Sequence, residues 1–119
     1  MDAEPFFSVE FRGRIPVLRI SGDIDLASCD ELRRQMRPYA SDSAVGVILD
    51  LRQVSYIDST GVRTVFEFAA LLDDLCNELV VVVDDVQIAR RIGVLAKLES
   101  VVPIEATLDR ALARLGVPL

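Results

Sequence analysis

The sequence contains no histidine, and twelve of its thirteen basic residues are arginines scattered between acidic residues. Histidine is the usual general base, a common zinc ligand and the middle member of hydrolase triads, so its absence removes the usual forms of these sites. The formal charge of −6 and the lack of a basic stripe argue against binding to nucleic-acid phosphates. The composition therefore predicts no metal site, no histidine-dependent catalysis and no direct nucleic-acid partner.

Long apolar runs are also missing, and cysteines are few. No run approaches the roughly 18 residues of a membrane-spanning helix, and the acidic start lacks the basic and apolar regions of a signal peptide. Cys29 and Cys76 are far apart in segments of helical pattern, which predicts reduced, half-buried thiols. We therefore expect a cytoplasmic protein with no membrane partner, folded as one domain over residues 1–119.

Hydrophobic periodicity predicts the element order ββαβαβα(β)α. Alternating residues 7–11 and the run 15–20 flank a turn at Gly13, which is typical of a β-hairpin. Residues 45–51 and 79–83 are apolar runs of the kind found in buried parallel strands. Helical spacing marks four further segments, which are residues 28–38, 59–77, 88–95 and 107–115. The prediction is an α/β fold with a mixed, mostly parallel sheet of four to five strands flanked by four helices.

Several residues are predicted to delimit these elements. Ser28 and Glu31 have the spacing of a capping box, and Thr107 is placed to cap the last helix. Asn77 is a candidate left-handed residue after the second helix. Residues 101–104 are predicted to form a short strand, which Pro103 confines to a sheet edge.

Polar side chains gather where two of the predicted strands end, in loops over residues 21–25 and 55–61. The carboxyl ends of parallel strands share one edge of a sheet, so we expect these loops to lie together. An ordinary helix cap needs one polar side chain, and that interpretation stays open for Asp58 or Ser59. The cluster holds six such residues: Ser21, Asp23, Asp25, Asp58, Ser59 and Thr60. Ser59 would then lie among the free backbone amides of a helix amino end.

Residues 21–25, 47–51 and 56–61 resemble the STAS domain of bacterial anti-anti-sigma factors, and the likeness covers almost the whole chain. In that family a strand similar to residues 47–51 leads to Asp, Ser, Ser or Thr, Gly, and the anti-sigma factor phosphorylates the first serine. That serine corresponds to Ser59 here. Asp23 matches the family's acidic position near the phosphoacceptor.

The resemblance implies an anti-sigma factor antagonist that binds a serine kinase of the histidine-kinase-like ATPase type and so releases a sigma factor. Phosphorylation of Ser59 would switch the antagonist off, and a metal-dependent serine phosphatase would restore it. No cofactor and no catalytic residue of its own are implied. The residues predicted to bind the partner are Ser21, Gly22, Asp23, Asp25, Asp58, Thr60, Gly61 and Arg63.

Three alternatives are weighed against this hypothesis. An enzyme with Ser59 as nucleophile would lack both an activating histidine and the glycines of a nucleophile elbow. A receiver domain phosphorylated on Asp50 would need a lysine at a strand end, whereas Lys97 falls in a helical pattern, so Asp50 is predicted to be structural. A STAS module that binds a nucleotide, a lipid-transport complex or a signalling scaffold through the same face stays open.

The remaining charges are predicted to be solvated. Arg63 and Glu67 are spaced to form an exposed i,i+4 ion pair, although Arg63 can equally belong to the partner-binding face. The acidic pair at 73–74 and the arginine pair at 90–91 are typical of solvent-facing helix surfaces.

Overall fold

The computed structural model describes residues 6–41, 45–84 and 97–116. Its sheet has five strands in sequential order: β1 (Phe6–Arg12), β2 (Ile15–Ile24), β3 (Gly46–Ile57), β4 (Glu78–Val82) and β5 (Ile104–Glu105). β1 is antiparallel to β2, and every other neighbouring pair is parallel. The predicted α/β class and the mixed, mostly parallel sheet are confirmed.

Three α-helices lie entirely within the described residues: α1 (Leu26–Met36), α2 (Ser59–Asp74) and α3 (Leu108–Arg114). A 3₁₀ turn, Arg37–Tyr39, follows α1. The predicted start of α2 at Ser59 is confirmed, and so is the cap of α3, where the Thr107 hydroxyl accepts the amide of Arg110 at 3.1 Å. The helix predicted over 88–95 and the arginine pair at 90–91 fall outside the described residues, although residues 97–99 are helical.

Both faces of the sheet carry apolar side chains, and each face has its own helices. On one face α1 and α2 cover a core that includes Leu18, Leu49 and Val81. On the other face α3 packs against residues such as Ile48 and Val80. Burial on both faces explains why β3 and β4 begin with unbroken apolar runs rather than with alternation.

The start of α1 corrects one prediction. The helix begins at Leu26, two residues before the predicted start, and Asp25 is its N-cap. The Asp25 carboxylate accepts the amides of Ala27 and Ser28, while the Ser28 hydroxyl accepts the Asp25 amide. Ser28 therefore closes a capping box from its third position instead of opening one with Glu31. The pairs Asp25–Ser28 and Ser28–Glu31 have the same i,i+3 spacing, so the spacing alone does not distinguish them. Because β2 ends at Ile24, the helix begins directly after it with Asp25 as the cap.

The turn after α2 corrects two more. Cys76, and not Asn77, has the left-handed conformation, with a φ of 60°. The Asn77 side chain is buried and donates a hydrogen bond to the carbonyl of Ser41. Both thiols are free, but neither is half-buried, since Cys29 is buried in α1 and Cys76 is exposed in this turn.

Two further findings concern the edge of the sheet and the helices as a group. The edge strand predicted over 101–104 is shorter and later, at Ile104–Glu105, so Pro103 precedes it. Among the helices in the described residues, none combines the length and apolar character needed to cross a membrane.

Candidate functional site

The site lies where β2 and β3 end side by side. Both strands run further than predicted, so residues 21–24 and 55–57 are strand and not loop. Asp23 is opposite Tyr56 in the parallel register, and Ile24 is opposite Ile57. The amide of Asp58 then donates to the carbonyl of Ile24 at 3.2 Å. This pairing brings the two predicted polar segments to one edge of the sheet.

Two of the six clustered polar residues are helix caps. Asp25 caps α1, and the Asp58 carboxylate accepts the amide of Gly61 at 2.9 Å to cap α2. Both residues have the extended backbone typical of an N-cap. The ordinary cap interpretation is therefore correct for Asp58 and does not apply to Ser59.

Ser59 is the first residue of α2 and is exposed. The first amides of a helix have no partner within the helix, and Asp58 takes only that of Gly61. The amides of Ser59 and Thr60 are therefore left without a partner in the helix, at the positive end of the helix dipole. An anion attached to the Ser59 oxygen would lie in favourable surroundings.

Gly61 lets α2 approach the strand ends closely. A Cβ at this position would lie 2.8 Å from the carbonyl oxygen of Ile24 and 2.7 Å from Cγ1 of Ile57. Gly22, on β2, has a φ of 91°, which favours glycine. Two of the predicted site residues thus have backbone requirements that other residue types meet poorly.

The predicted ion pair between Arg63 and Glu67 is wrong. Glu67 instead accepts two hydrogen bonds from Arg33 of α1, at 3.1 Å from Nε and 3.2 Å from Nη2. These bonds raise the pKa of the Arg33 guanidinium. The two bonds join the forked guanidinium of Arg33 to both oxygens of Glu67 and so link α1 to α2. Arg63 is exposed in the second turn of α2, on the element that Ser59 begins.

Two exposed apolar side chains beside the site were not among the predicted residues. Leu26 follows the Asp25 cap and is 75% exposed, and Tyr56 lies opposite Asp23 and is 42% exposed. Leu26 falls outside the apolar spacing set by Leu32 and Met36, and that mismatch is a signal in the sequence. Tyr56 carries no such signal, because its exposure depends on how β3 pairs with β2.

Asp50 lies in the middle of β3 and not at a strand end, because the strand continues to Ile57. Its side chain is 1% exposed and accepts hydrogen bonds from Arg52 and Arg19. Burial by itself would raise the pKa of Asp50, but the hydrogen bonds from these two arginines outweigh it and hold the pKa below 3.8. The carboxylate is sequestered, as a structural residue would be.

Across residues 6–41, 45–84 and 97–116, no three or more acidic or thiol side chains are grouped so that they could hold a metal ion. The acidic residues near Ser59 act as caps or lie on the strand ends.

Comparison with known proteins matches residues 6–111 to the family model of the STAS domain. Among solved structures, an anti-sigma factor antagonist from Mycobacterium paratuberculosis is similar, with a TM-score of 0.83, 24% identity, and coverage of 98% of this chain and 99% of that one. The anti-sigma factor antagonist SpoIIAA in its unphosphorylated form has a TM-score of 0.73 and 20% identity, covering 96% of this chain and all of its own. The phosphorylated form from Bacillus has a TM-score of 0.66 and 20% identity, covering 92% and 99%.

A similar domain occurs in a protein of another kind. Part of the murine anion transporter Slc26a9 has a TM-score of 0.73 and 14% identity, covering 90% of this chain and 18% of the transporter. At these identities the likeness establishes the fold, and the residues around Ser59 have to carry any argument about function.

Proposed function

Because this chain belongs to the STAS domain family, we propose that it is an anti-sigma factor antagonist whose partner is released when Ser59 is phosphorylated. One observation carries the proposal: an exposed serine is the first residue of α2, next to a capping aspartate, where β2 and β3 end. The names of the similar solved structures, which include a phosphorylated form of SpoIIAA, support the same role.

The proposed partner is an anti-sigma factor serine kinase of the histidine-kinase-like ATPase type, which places the complex in the cytoplasm. In the transfer step the Ser59 oxygen attacks the γ-phosphorus of ATP, the bond to the β–γ bridging oxygen breaks, and ADP leaves. The hydroxyl proton passes to a base of the kinase. A metal-dependent phosphatase hydrolyses the phosphoserine, so this chain is the substrate of both enzymes and contributes no catalytic residue.

The fold should survive the phosphate. The group adds about −1.5 to −2 charges at neutral pH, and the amides at the start of α2 can donate hydrogen bonds to it. An exposed anion at a helix amino end gains about 0.3 to 1 kcal/mol from the dipole. The acidic side chains of Asp23 and Asp58 offset part of this gain by repulsion.

Phosphorylation of Ser59 should abolish binding to the kinase. Leu26 and Tyr56 provide exposed apolar area beside Ser59, and Asp23 and Arg63 provide charge. Interfaces with an apolar centre and a polar rim are disrupted by a new charge that is desolvated without a partner. Phosphorylation thus opposes docking at the surface where docking occurs, which is the requirement for a switch.

The proposal is tested by incubating the chain with ATP and each candidate serine kinase from the same genome, followed by mass spectrometry. We expect one phosphate on Ser59 in the wild type and in Thr60→Val, and none in Ser59→Ala. Phosphate on Thr60, or on the Ser59→Ala variant at another residue, would contradict the assignment.

A second candidate is a STAS module that works without phosphorylation, and the likeness to part of an anion transporter shows that this fold also occurs in proteins of another kind. In that case the same face would bind a nucleotide, a lipid-transport complex or a signalling scaffold without phosphorylation. The absence of phosphate with every candidate kinase, together with retained binding in Ser59→Asp, is the result that this candidate predicts.

A further inference from the structure

The pairing of β2 with β3 becomes irregular just beyond Asp50. Arg19 is opposite Asp50, but Ser21, two residues further along β2, is opposite Gln53, three residues further along β3. β3 therefore holds one extra residue in this stretch, which makes it a β-bulge. Such a bulge leaves a residue outside the ladder and reverses the faces of the residues that follow.

Burial along β3 records that reversal. Leu51 lies in the core under α1 and α2, and strict alternation would turn Gln53 toward the same core. Gln53 is exposed instead, and Val54 packs against the core. A second irregularity follows, and Ile57 is buried again just before Ser59. If the first bulge alone were lost, Ile57 would turn outward and Ser59 would shift by one residue.

The Asp50 carboxylate lies at this bulge. Its Oδ1 accepts the backbone amide of Arg52 at 3.1 Å, and Arg52 has no partner in the described register of β3 with β2 or β4. The same carboxylate accepts hydrogen bonds from Nε and Nη2 of Arg52, at 3.0 and 2.8 Å, and from Nε of Arg19, at 3.1 Å. The Asp50 side chain thus accepts the amide of a residue that lies outside the ladder, and its bond with Arg19 links the bulge to β2.

A buried carboxylate is a costly way to fill this position. An apolar side chain would continue the run from Val47 to Leu51, and hydrophobic replacements of buried ion pairs are often neutral or stabilising. Buried polar groups that are retained despite that cost are best known for fixing register. An apolar residue could therefore replace Asp50 in the core, but it could not accept the Arg52 amide at the bulge.

We propose that Asp50 is a positioning residue for Ser59, which acts by holding the β3 bulge and thereby setting the register in which β3 reaches α2. Its bearing on phosphorylation rests on the function proposed above for Ser59. Its structural part, that the Asp50 oxygen holds the bulge, is independent of any kinase.

Two variants of Asp50 separate this role from general stability. Asp50→Leu removes the acceptor but suits the apolar strand, and its arginine partners are about one-third exposed and can be hydrated. Asp50→Asn keeps an oxygen for the Arg52 amide and loses the charge. Val80→Ala is the control, because it removes buried methyl groups on the same face of the sheet without touching the bulge.

The readouts are cross-strand NOEs between Ser21 and Gln53 and the rate of Ser59 phosphorylation. We expect Asp50→Leu to lose the NOEs and to slow phosphorylation at least about 100-fold, because a misplacement of about 1 Å can cost that much and one residue along a strand spans about 3.3 Å. Asp50→Asn and Val80→Ala should keep both, although each loses stability. An intact register in Asp50→Leu, or a lost register in Asp50→Asn, would overturn the proposal.

If Asp50→Leu does not fold, hydrogen exchange in the wild type tests whether Asp50 holds the bulge. The Arg52 amide should be as protected as the ladder amides of β3, and exchange at the rate of an exposed amide would refute the role of Asp50. If no kinase phosphorylates the wild type, the proposed function fails, and the NOEs and the exchange data still judge the bulge.

Discussion

The two halves of β3 differ in almost every respect. Residues 46–51 are all buried, and as far as Asp50 they pair in regular register with β4. Residues 52–57 interrupt their pairing with β2 twice and expose Gln53, Ser55 and Tyr56. The first half lies in the core, and the second half leads from the core to Ser59 at the start of α2. One strand can serve both purposes because bulges let it leave the regular sheet without ending.

The largest effect is expected in the regular half. Leu49→Ala opens a cavity in the core under α1 and α2, and such changes cost about 2 to 5 kcal/mol of unfolding free energy. Urea denaturation measures the loss, and Gln53→Ala in the exposed half is the matched control, with a change of about 0.5 kcal/mol or less. Similar losses for the two variants would remove the distinction between the halves.

A smaller effect is expected where the irregular half meets α2. Gly61→Ala places a methyl group against the Ile24 carbonyl and Ile57, and overpacking of this kind costs about 1 to 3 kcal/mol. The better helix propensity of alanine, about 1 kcal/mol, offsets part of the cost. Thermal unfolding should show that the variant is less stable than the wild type. Phosphorylation of Ser59 should also be slower.

The control for that variant is Ala70→Gly, on the exposed face of α2. It should lose about 1 kcal/mol through propensity alone and keep the phosphorylation rate of the wild type. A Gly61→Ala variant that is more stable than the wild type would show that α2 does not need this close approach.

The cap of α2 should matter less. Asp58→Ala removes the acceptor of the Gly61 amide and should cost about 1 kcal/mol, whereas Asp58→Asn keeps an acceptor and most of the stability. Urea denaturation and the exchange rate of the Gly61 amide measure the two consequences. Equal stability of the alanine and asparagine variants would mean that the cap contributes nothing.

The last effect is a difference in how steeply stability falls in acid. The pKa of Asp50 is lower in the folded chain than its ordinary value of 3.8, so its carboxylate stabilises the fold above that value. This contribution is lost as the pH falls from about 3.8 through the folded-state pKa. Asp50→Asn should therefore show a flatter fall in unfolding free energy below pH 4 than the wild type, by chemical denaturation. Parallel curves would contradict the shift.

The regularly paired parts of the molecule, such as residues 46–51 of β3, are the parts that the sequence predicts well. The apolar runs at 45–51 and 79–83 identify buried strands, and the polar residues before Val62 identify the start of α2, because both signals are local. The predicted loop at 21–25 fails for a different reason. Residues 21–24 continue β2 because the bulged end of β3 lies beside them, and pairing between distant segments leaves no local pattern.

The errors at the site have the same origin. Asp25 and Ser28 both satisfy the local rule for a cap, and the end of β2 selects Asp25. Glu67 pairs with Arg33 because α1 packs on α2, a contact that spacing within one helix cannot reveal. The sequence identifies Ser59 as a residue of interest, whereas Tyr56 becomes visible only once the strand register is known.

The central claim is that phosphate on Ser59 abolishes docking and leaves the fold intact. The most direct measurement compares the unmodified and the Ser59-phosphorylated chain by calorimetric titration against the cognate kinase and by thermal unfolding. We expect affinity to fall at least about 100-fold, which corresponds to about 2.7 kcal/mol, while the unfolding midpoint changes by no more than a few degrees. Equal affinity of the two forms, or a phosphorylated chain that is unfolded, would contradict the account.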